Sequence, residues 1–240
     1  MEKLNRAIIV AAGEGRRLRP VTLNTPKPLV SVNGIRLIDT SIRALKKHGI
    51  HEIYIVAGYK AEQFCEVYRH DPDITVLENS HYLEGNNITS LYVARNYLPG
   101  SFVLEGDLFI SNESIFDPQT EMSGYFATWM DEAPEWALRL TDGTISYYNI
   151  GGGKECYRLW GVSMWTEQDG KILSEMVRAQ IEDVHDWDIY WDELALSQSG
   201  KAFNLGVREI GPDNITEIDT FEELQAIDPA YKDYQQQEHI

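Results

Sequence analysis

Residues 7–12 are an unbroken apolar run of the kind that fills a central parallel strand, where helices cover both faces. After an Asn33-Gly34 turn the period changes. Ile35, Ile38, Ile42 and Leu45 share one helical face, which predicts a helix over residues 36–48 with Gly49 as its stop. The alternation then repeats: strand 52–57, helix 61–69, strand 74–77, a helix 89–98 closed by Pro99-Gly100, and strand 101–105 ending at Gly106-Asp107. Strands separated by helices need crossovers and therefore predict a mostly parallel sheet. The second half is less regular. Residues 124–130, 136–140, 144–148, 158–165, 203–208 and 215–218 read as strands, 168–181 and 189–197 as helices, and a last helix starts at Thr220. The stretch 148–158, with Gly151-Gly152-Gly153, reads as a mobile flap or a turn. No linker or internal repeat divides the chain. The expectation is one α/β domain over residues 1–228, a Rossmann-like mixed sheet flanked by helices, with a small added lobe and a polar tail at 229–240 that holds Gln235–Gln237.

Composition narrows the partners. A chain of 240 residues with formal charge −17 and 43% hydrophobic residues is expected to be globular and is ill suited to nucleic acid or an anionic membrane, both polyanions. No apolar run is long enough to span a bilayer, and the apolar stretch near the N-terminus is too short for a signal peptide, so the cytoplasm is the expected location. Cys65 and Cys156 lack metal or disulfide spacing and read as buried reduced thiols.

Local chemistry runs against the global charge. After the first strand come Ala11, Ala12, Gly13, Glu14, Gly15, Arg16, Arg17, Leu18, Arg19 and Pro20. Two glycines let backbone approach a ligand, and successive N–H groups can form an anion nest. The dinucleotide fingerprint needs a third glycine where Leu18 stands, and the ATP-type loop needs a Gly-Lys-Ser/Thr that is absent. Instead Arg16, Arg17, Arg19 and Lys27 stand against Glu14 alone, which suggests a triphosphate site or a solvated basic loop. Further on, Gly85, Asn86, Asn87, Thr89 and Ser90 can leave room for a flat base or can cap the following helix. Asp107 lies at the carboxyl end of the fourth strand, the ligand edge of open parallel sheets. Asp219 by itself has the look of a helix N-cap. Glu105 and Glu217 stand beside these aspartates and rank lower, on the reading that strand alternation turns them away. Residues 182–193 hold six acids, no Lys or Arg, and Trp187, Tyr190 and Trp191. With Glu135-Trp136 upstream, they suit a quaternary ammonium held by ring faces and countercharge, or a core contact beneath a solvated acidic helix.

The run from Ala11 to Leu29, with Arg17 and Pro26-Lys27-Pro28-Leu29 in place, resembles the signature of the nucleotidyltransferases that activate sugar and alcohol phosphates. Glu135-Trp136, Gly161-Val162-Ser163-Met164-Trp165, Asp188-Ile189-Tyr190-Trp191-Asp192 and Glu217-Ile218-Asp219 look like the bacterial choline-phosphate cytidylyltransferases. The resemblance implies the nucleotide-diphospho-sugar transferase fold, with a nucleotide-binding half near residues 1–120 and a substrate-binding half near 121–228. It implies transfer of CMP from CTP to phosphocholine, giving CDP-choline and pyrophosphate. Catalysis would rest on Arg17 at the β- and γ-phosphates, Lys27 at the α-phosphate and incoming phosphate, and Mg²⁺ held by Asp107 and Asp219. Ala11, Ala12, Gly13, Gly15, Arg17, Gly85, Asn86, Asn87 and Ser90 would bind nucleotide, and Trp136, Tyr190, Trp191 and Asp192 choline. A monomer or weak homodimer is expected. The alternatives are phosphoethanolamine or an aminoethylphosphonate as acceptor, a sugar-1-phosphate nucleotidyltransferase, or a non-catalytic nucleotide-sensing subunit.

Overall fold

The computed structural model describes residues 1–232 and 234. Strand β1 (Arg6–Ala11) lies between β2 (Glu52–Ala57) and β4 (Ser101–Glu105), and β3 (Ile74–Glu78) pairs with β2; all three pairings are parallel. The apolar run of β1 has a direct cause. Ala7, Ile9 and Ala11 enter one core with Ile38, Ile42 and Phe64, while Ile8 and Val10 enter another with Leu91, Leu173 and Val177. Helices α1 (Leu37–Lys47) and α2 (Ala61–Tyr68) cover the first face, and α3 (Ile88–Ala94) and α4 (Glu167–Ala179) the second. Ile8 and Ile9 are fully buried. Truncating either to Ala should cost about 2–5 kcal/mol. The Asn33-Gly34 turn, with both φ angles positive, joins two short strands and aims the chain into α1.

The second half extends the sheet. β5 (Leu108–Ile110) follows β4, and then come β6 (Gly124–Ala133), β7 (Ala137–Thr141), β8 (Thr144–Asn149) and β9 (Gly153–Trp165). The path across the sheet runs β8-β7-β9-β4-β1-β2-β3, with β6 pairing β9 and β10 (Gly206–Glu209). β9 is antiparallel to β4 and starts five residues earlier than expected. The glycine-rich stretch is thus a tight turn followed by strand. Gly152 has φ +84°, and a Cβ there would lie 2.3 Å from the Ala133 carbonyl oxygen. β11 (Ile215–Glu217) pairs antiparallel with β5, Glu217 opposite Leu108. The expected helices at 168–181 and 189–197 are shorter: α4 gives way to a π-turn at Gln180–Val184, and α5 spans Trp191–Leu196.

Asp219 is not the cap of α6 (Phe221–Ile227). Thr220 is, in a reciprocal capping box with Glu223. Pro229–Tyr231 forms a 3₁₀ turn, and the Tyr231 hydroxyl donates to the Ser31 carbonyl at 2.8 Å. Gln235–Gln237 lie outside the described residues. Cys156 is buried as expected, but Cys65 is exposed on the outer side of α2. Among the described residues no helix is long and apolar enough to cross a membrane.

Candidate active site

A cleft of about 560 Å³ opens at the carboxyl ends of β1 and β4. It is lined by every residue expected at the site except Trp191. At one end the chain leaves β1 through Gly13-Glu14-Gly15. Gly15 has φ +59°, and a Cβ there would come within 2.8 Å of the Lys27 Cβ, so the glycine lets the loop lie directly over Lys27. The Thr22 hydroxyl fixes this by donating to the Gly15 carbonyl at 2.8 Å. Lys27 is only 6% exposed. Its Nζ donates to Asp107 Oδ2 at 2.7 Å and to Asp219 Oδ1 at 2.8 Å. The Arg17 guanidinium reaches Asp219 Oδ1 at 2.9 Å from a largely exposed position. Burial opposes the charge on Lys27, yet Asp107 and Asp219 overcome it, and its pKa is raised.

The β5–β11 pairing explains how residues 107 and 219 meet. Each lies just outside that short ladder, on the same end. Oxygens of Asp107, Glu217 and Asp219 lie within 4.8 Å of one another, a hard donor set suited to a cation such as Mg²⁺. The rank given to Glu217 is therefore corrected, as is that of Glu105. Residues two apart share a strand face, so alternation puts each on its aspartate's side. Both line the cleft. Burial, followed by repulsion from Asp107 and Asp219, pushes Glu217 up to about 7. Glu105 is raised well above the carboxylate range by burial and then by Asp192 and Asp107. Room for Glu105 comes from Gly161 on β9, where a Cβ would lie 2.5 Å from the Glu105 Cγ.

The middle of the cleft is the 85–90 segment. A Cβ on Gly85 would lie 2.3 Å from the Trp187 carbonyl oxygen, and the Asn86 N–H donates to that oxygen at 2.7 Å. Asn87 makes no side-chain cap. Its Oδ1 accepts from the Trp191 N–H at 3.0 Å and its Nδ2 donates to Glu105 Oε1 at 3.2 Å, which ties three segments together. The Ser90 and Thr89 hydroxyls each accept from Asn79 Nδ2 at 3.0 Å. Tyr82 also lines the cleft and was not anticipated. Gly58 makes space for its ring, but nothing local to residue 82 signals this.

At the far end Trp136 and Tyr190 meet edge to face, centroids 5.5 Å apart. Trp136 has φ +45°, uncommon for a bulky residue. Asp192 is 7% exposed, and burial pushes it up to about 7. The Tyr125 hydroxyl lies beside it without a regular hydrogen bond. Trp191 must be removed from this group. It is 3% exposed, stacks on Tyr125 at 6.1 Å and meets Trp165 at 6.4 Å, because the first turn of α5 points it inward toward the second core. Trp187 lies over Gly85 and meets His81 edge-on.

A basic, glycine-bearing loop facing a carboxylate cluster, on this sheet, is an arrangement able to hold a polyphosphate with a divalent cation, as in nucleotidyltransferases. The nucleotidyl transferase family model matches residues 6–123, and two relatives more than 30% identical along nearly their whole length show that the chain belongs to that family. The 2-aminoethylphosphonate cytidylyltransferase of Lancefieldella rimae is 37% identical over 96% of this chain and 94% of its own. The choline-phosphate cytidylyltransferase of Streptococcus pneumoniae is 32% identical over 95% and 98%. The solved structure of the CTP:phosphocholine cytidylyltransferase from Streptococcus pneumoniae superposes with a TM-score of 0.85 at 31% identity, covering 95% of this chain and 99% of that one.

Proposed function

We propose that the chain transfers CMP from CTP to a small zwitterion that carries a phosphonate or phosphate at one end and a cationic nitrogen at the other. 2-Aminoethylphosphonate is the preferred acceptor. One observation supports this reading most. Glu105, half-buried, and Asp192, 7% exposed, both line the cleft, and neither has a Lys or Arg partner among the described residues. Two such acids without a cationic partner call for a cation with hydrogen-bond donors. A primary ammonium offers donors that Glu105 and Asp192 can accept, with the buried Tyr125 hydroxyl standing behind Asp192. With Trp191 in the core, the expected choline group keeps just the Trp136 and Tyr190 rings for a donor-free trimethylammonium. The name of the 37%-identical relative points the same way. Phosphocholine is the second reading, favoured by the perpendicular Trp136–Tyr190 pair and by the relatives named for it.

In the proposed reaction an acceptor oxygen attacks the α-phosphorus of CTP in line, and pyrophosphate leaves. The acceptor is already an anion, so no general base is required. Gly13 and Gly15 let backbone N–H groups approach the triphosphate, Arg17 holds its outer phosphates, and Lys27 sits between the two anions as they converge. Asn86, Asn87 and Ser90 shape the cytosine pocket. Asp107 and Asp219, with Glu217, would hold Mg²⁺, which when bound neutralises triphosphate charge. The Trp136 and Tyr190 rings wall the head group, and Asp192 supplies countercharge.

The test is a pyrophosphate-release screen that crosses four nucleoside triphosphates with 2-aminoethylphosphonate, phosphoethanolamine, phosphocholine and glucose 1-phosphate. The expected result is highest kcat/KM for CTP with 2-aminoethylphosphonate. Higher efficiency with phosphocholine selects the second reading, and turnover only with glucose 1-phosphate overturns both.

A further inference from the structure

Six carboxylates line the cleft: Glu105, Asp107, Glu135, Asp192, Glu217 and Asp219. Their compensation is uneven. Lys27 is shared by Asp107 and Asp219. Arg158, which stands behind the cleft wall on β9, is shared by two others: its Nη2 lies 3.1 Å from Glu135 Oε1 and 3.2 Å from Glu217 Oε2. The guanidinium is seated 4.3 Å from the Trp160 ring centroid, and its side chain is 19% exposed. Glu105 and Asp192 have no such partner.

Arg158 also reaches the head-group wall through the backbone. Glu135 immediately precedes Trp136, whose left-handed φ has to be held by its surroundings. The Leu159 N–H donates to the Trp136 carbonyl at 3.0 Å, and Arg158 pairs with Ala137 across β7 and β9. The ion pair to Glu135 and these strand contacts, all from β9, hold residues 135–137 together.

We infer that Arg158 is a positioning residue for the acceptor, zoning the charge of the cleft. By pairing with Glu135 and Glu217 it leaves Glu105 and Asp192 as the cleft acids free to ionise against an incoming ammonium, and it lowers the negative charge along the region an anionic phosphonate must cross to reach Lys27. By gripping Glu135 it also holds the Trp136 ring in place. The inference rests on the proposed zwitterionic acceptor. Without Arg158, Glu135 would stand unpaired beside Glu217 and the acceptor's anion, a costly arrangement at a half-buried site.

The experiment compares the wild type, Arg158→Lys, Arg158→Gln and the double variant Arg158→Gln/Glu135→Gln. Separate KM values are measured for CTP and for each acceptor, with thermal melts alongside. Arg158→Gln is expected to raise the acceptor KM by about tenfold or more and to change the CTP KM by less than about threefold. Arg158→Lys should keep much of the wild-type value because the charge remains, and the double variant should recover part of the loss because one unpaired acid is gone. A residue that merely supports the fold would lower the melting temperature and shift both KM values together, with no recovery in the double variant, and that result overturns the inference. So does an unchanged acceptor KM in Arg158→Gln. A wild type that turns over no zwitterionic acceptor overturns the functional reading instead, so the two failures are distinguishable.

Discussion

Asp192→Asn should stabilise the ligand-free protein while weakening its grip on the acceptor. In the folded state burial raises Asp192 from an ordinary 3.8 to about 7. The folded protein thus favours the protonated acid. The contribution of this group to stability is greatest below about pH 4, falls as pH rises from there to 7, and is flat above about pH 8. At 1.4 kcal/mol per factor of ten, the full cost of ionising this buried group is on the order of 4 kcal/mol at pH 8 and under half of that at pH 5. Asparagine keeps the shape and an acceptor oxygen beside Tyr125, and it carries no charge to desolvate. The variant should therefore melt higher than the wild type at pH 8, with the advantage about 3 kcal/mol smaller at pH 5. For a chain of this size that difference corresponds to about 6–12 °C. The assay is a pair of thermal melts at the two pH values, repeated with saturating acceptor, which should lift the wild type more than the variant. If Asp192→Asn lowers the melting temperature at pH 8, or shifts it equally at both pH values, the carboxylate is not the costly buried charge argued here.

The acid cluster gives a second expectation: Asp107→Ala and Asp219→Ala should each reduce turnover by orders of magnitude with the fold retained, and near-normal turnover at limiting Mg²⁺ would remove that residue from the metal site. Lys27→Met should lower kcat more than it raises the CTP KM, since its charge matters most as two anions converge; an unchanged kcat would exclude it from the chemistry. Trp136→Ala and Trp191→Ala should part company. The first should raise the acceptor KM several-fold with little loss of stability, whereas the second should destabilise by about 3–5 kcal/mol, and melts with paired KM measurements separate the two.

The parallel half of the sheet was readable because its signal is local. An apolar run such as 7–12 and a one-faced helix such as 36–48 carry their own periodicity. The cleft loops were readable for another reason: glycines and charges were concentrated against the chain's overall composition. What escaped depends on contacts between distant segments. Trp191 and Asp192 are neighbours in sequence, yet only the packing of α5 on Tyr125 and Trp165 turns the ring inward. Arg158 finds its partners 23 and 59 residues away, and no pattern around it announces them. Glu105 and Glu217 stand two residues from Asp107 and Asp219, an even spacing that puts each on its aspartate's face and is legible in the sequence.

Gly161 shows how a residue with no chemistry of its own can govern one that has it. Because the seat of Glu105 is cut out of the opposing strand, a single methyl group is a steric lever on the head-group pocket. Gly161→Ala would drive its Cβ to within 2.5 Å of the Glu105 Cγ and force that side chain out of its rotamer. For the proposed zwitterionic acceptor, the preference of the pocket for a cationic tail is encoded in two places, one bearing charge and one bearing space. A search for altered acceptor range can begin at the second, where the acid is displaced without being removed.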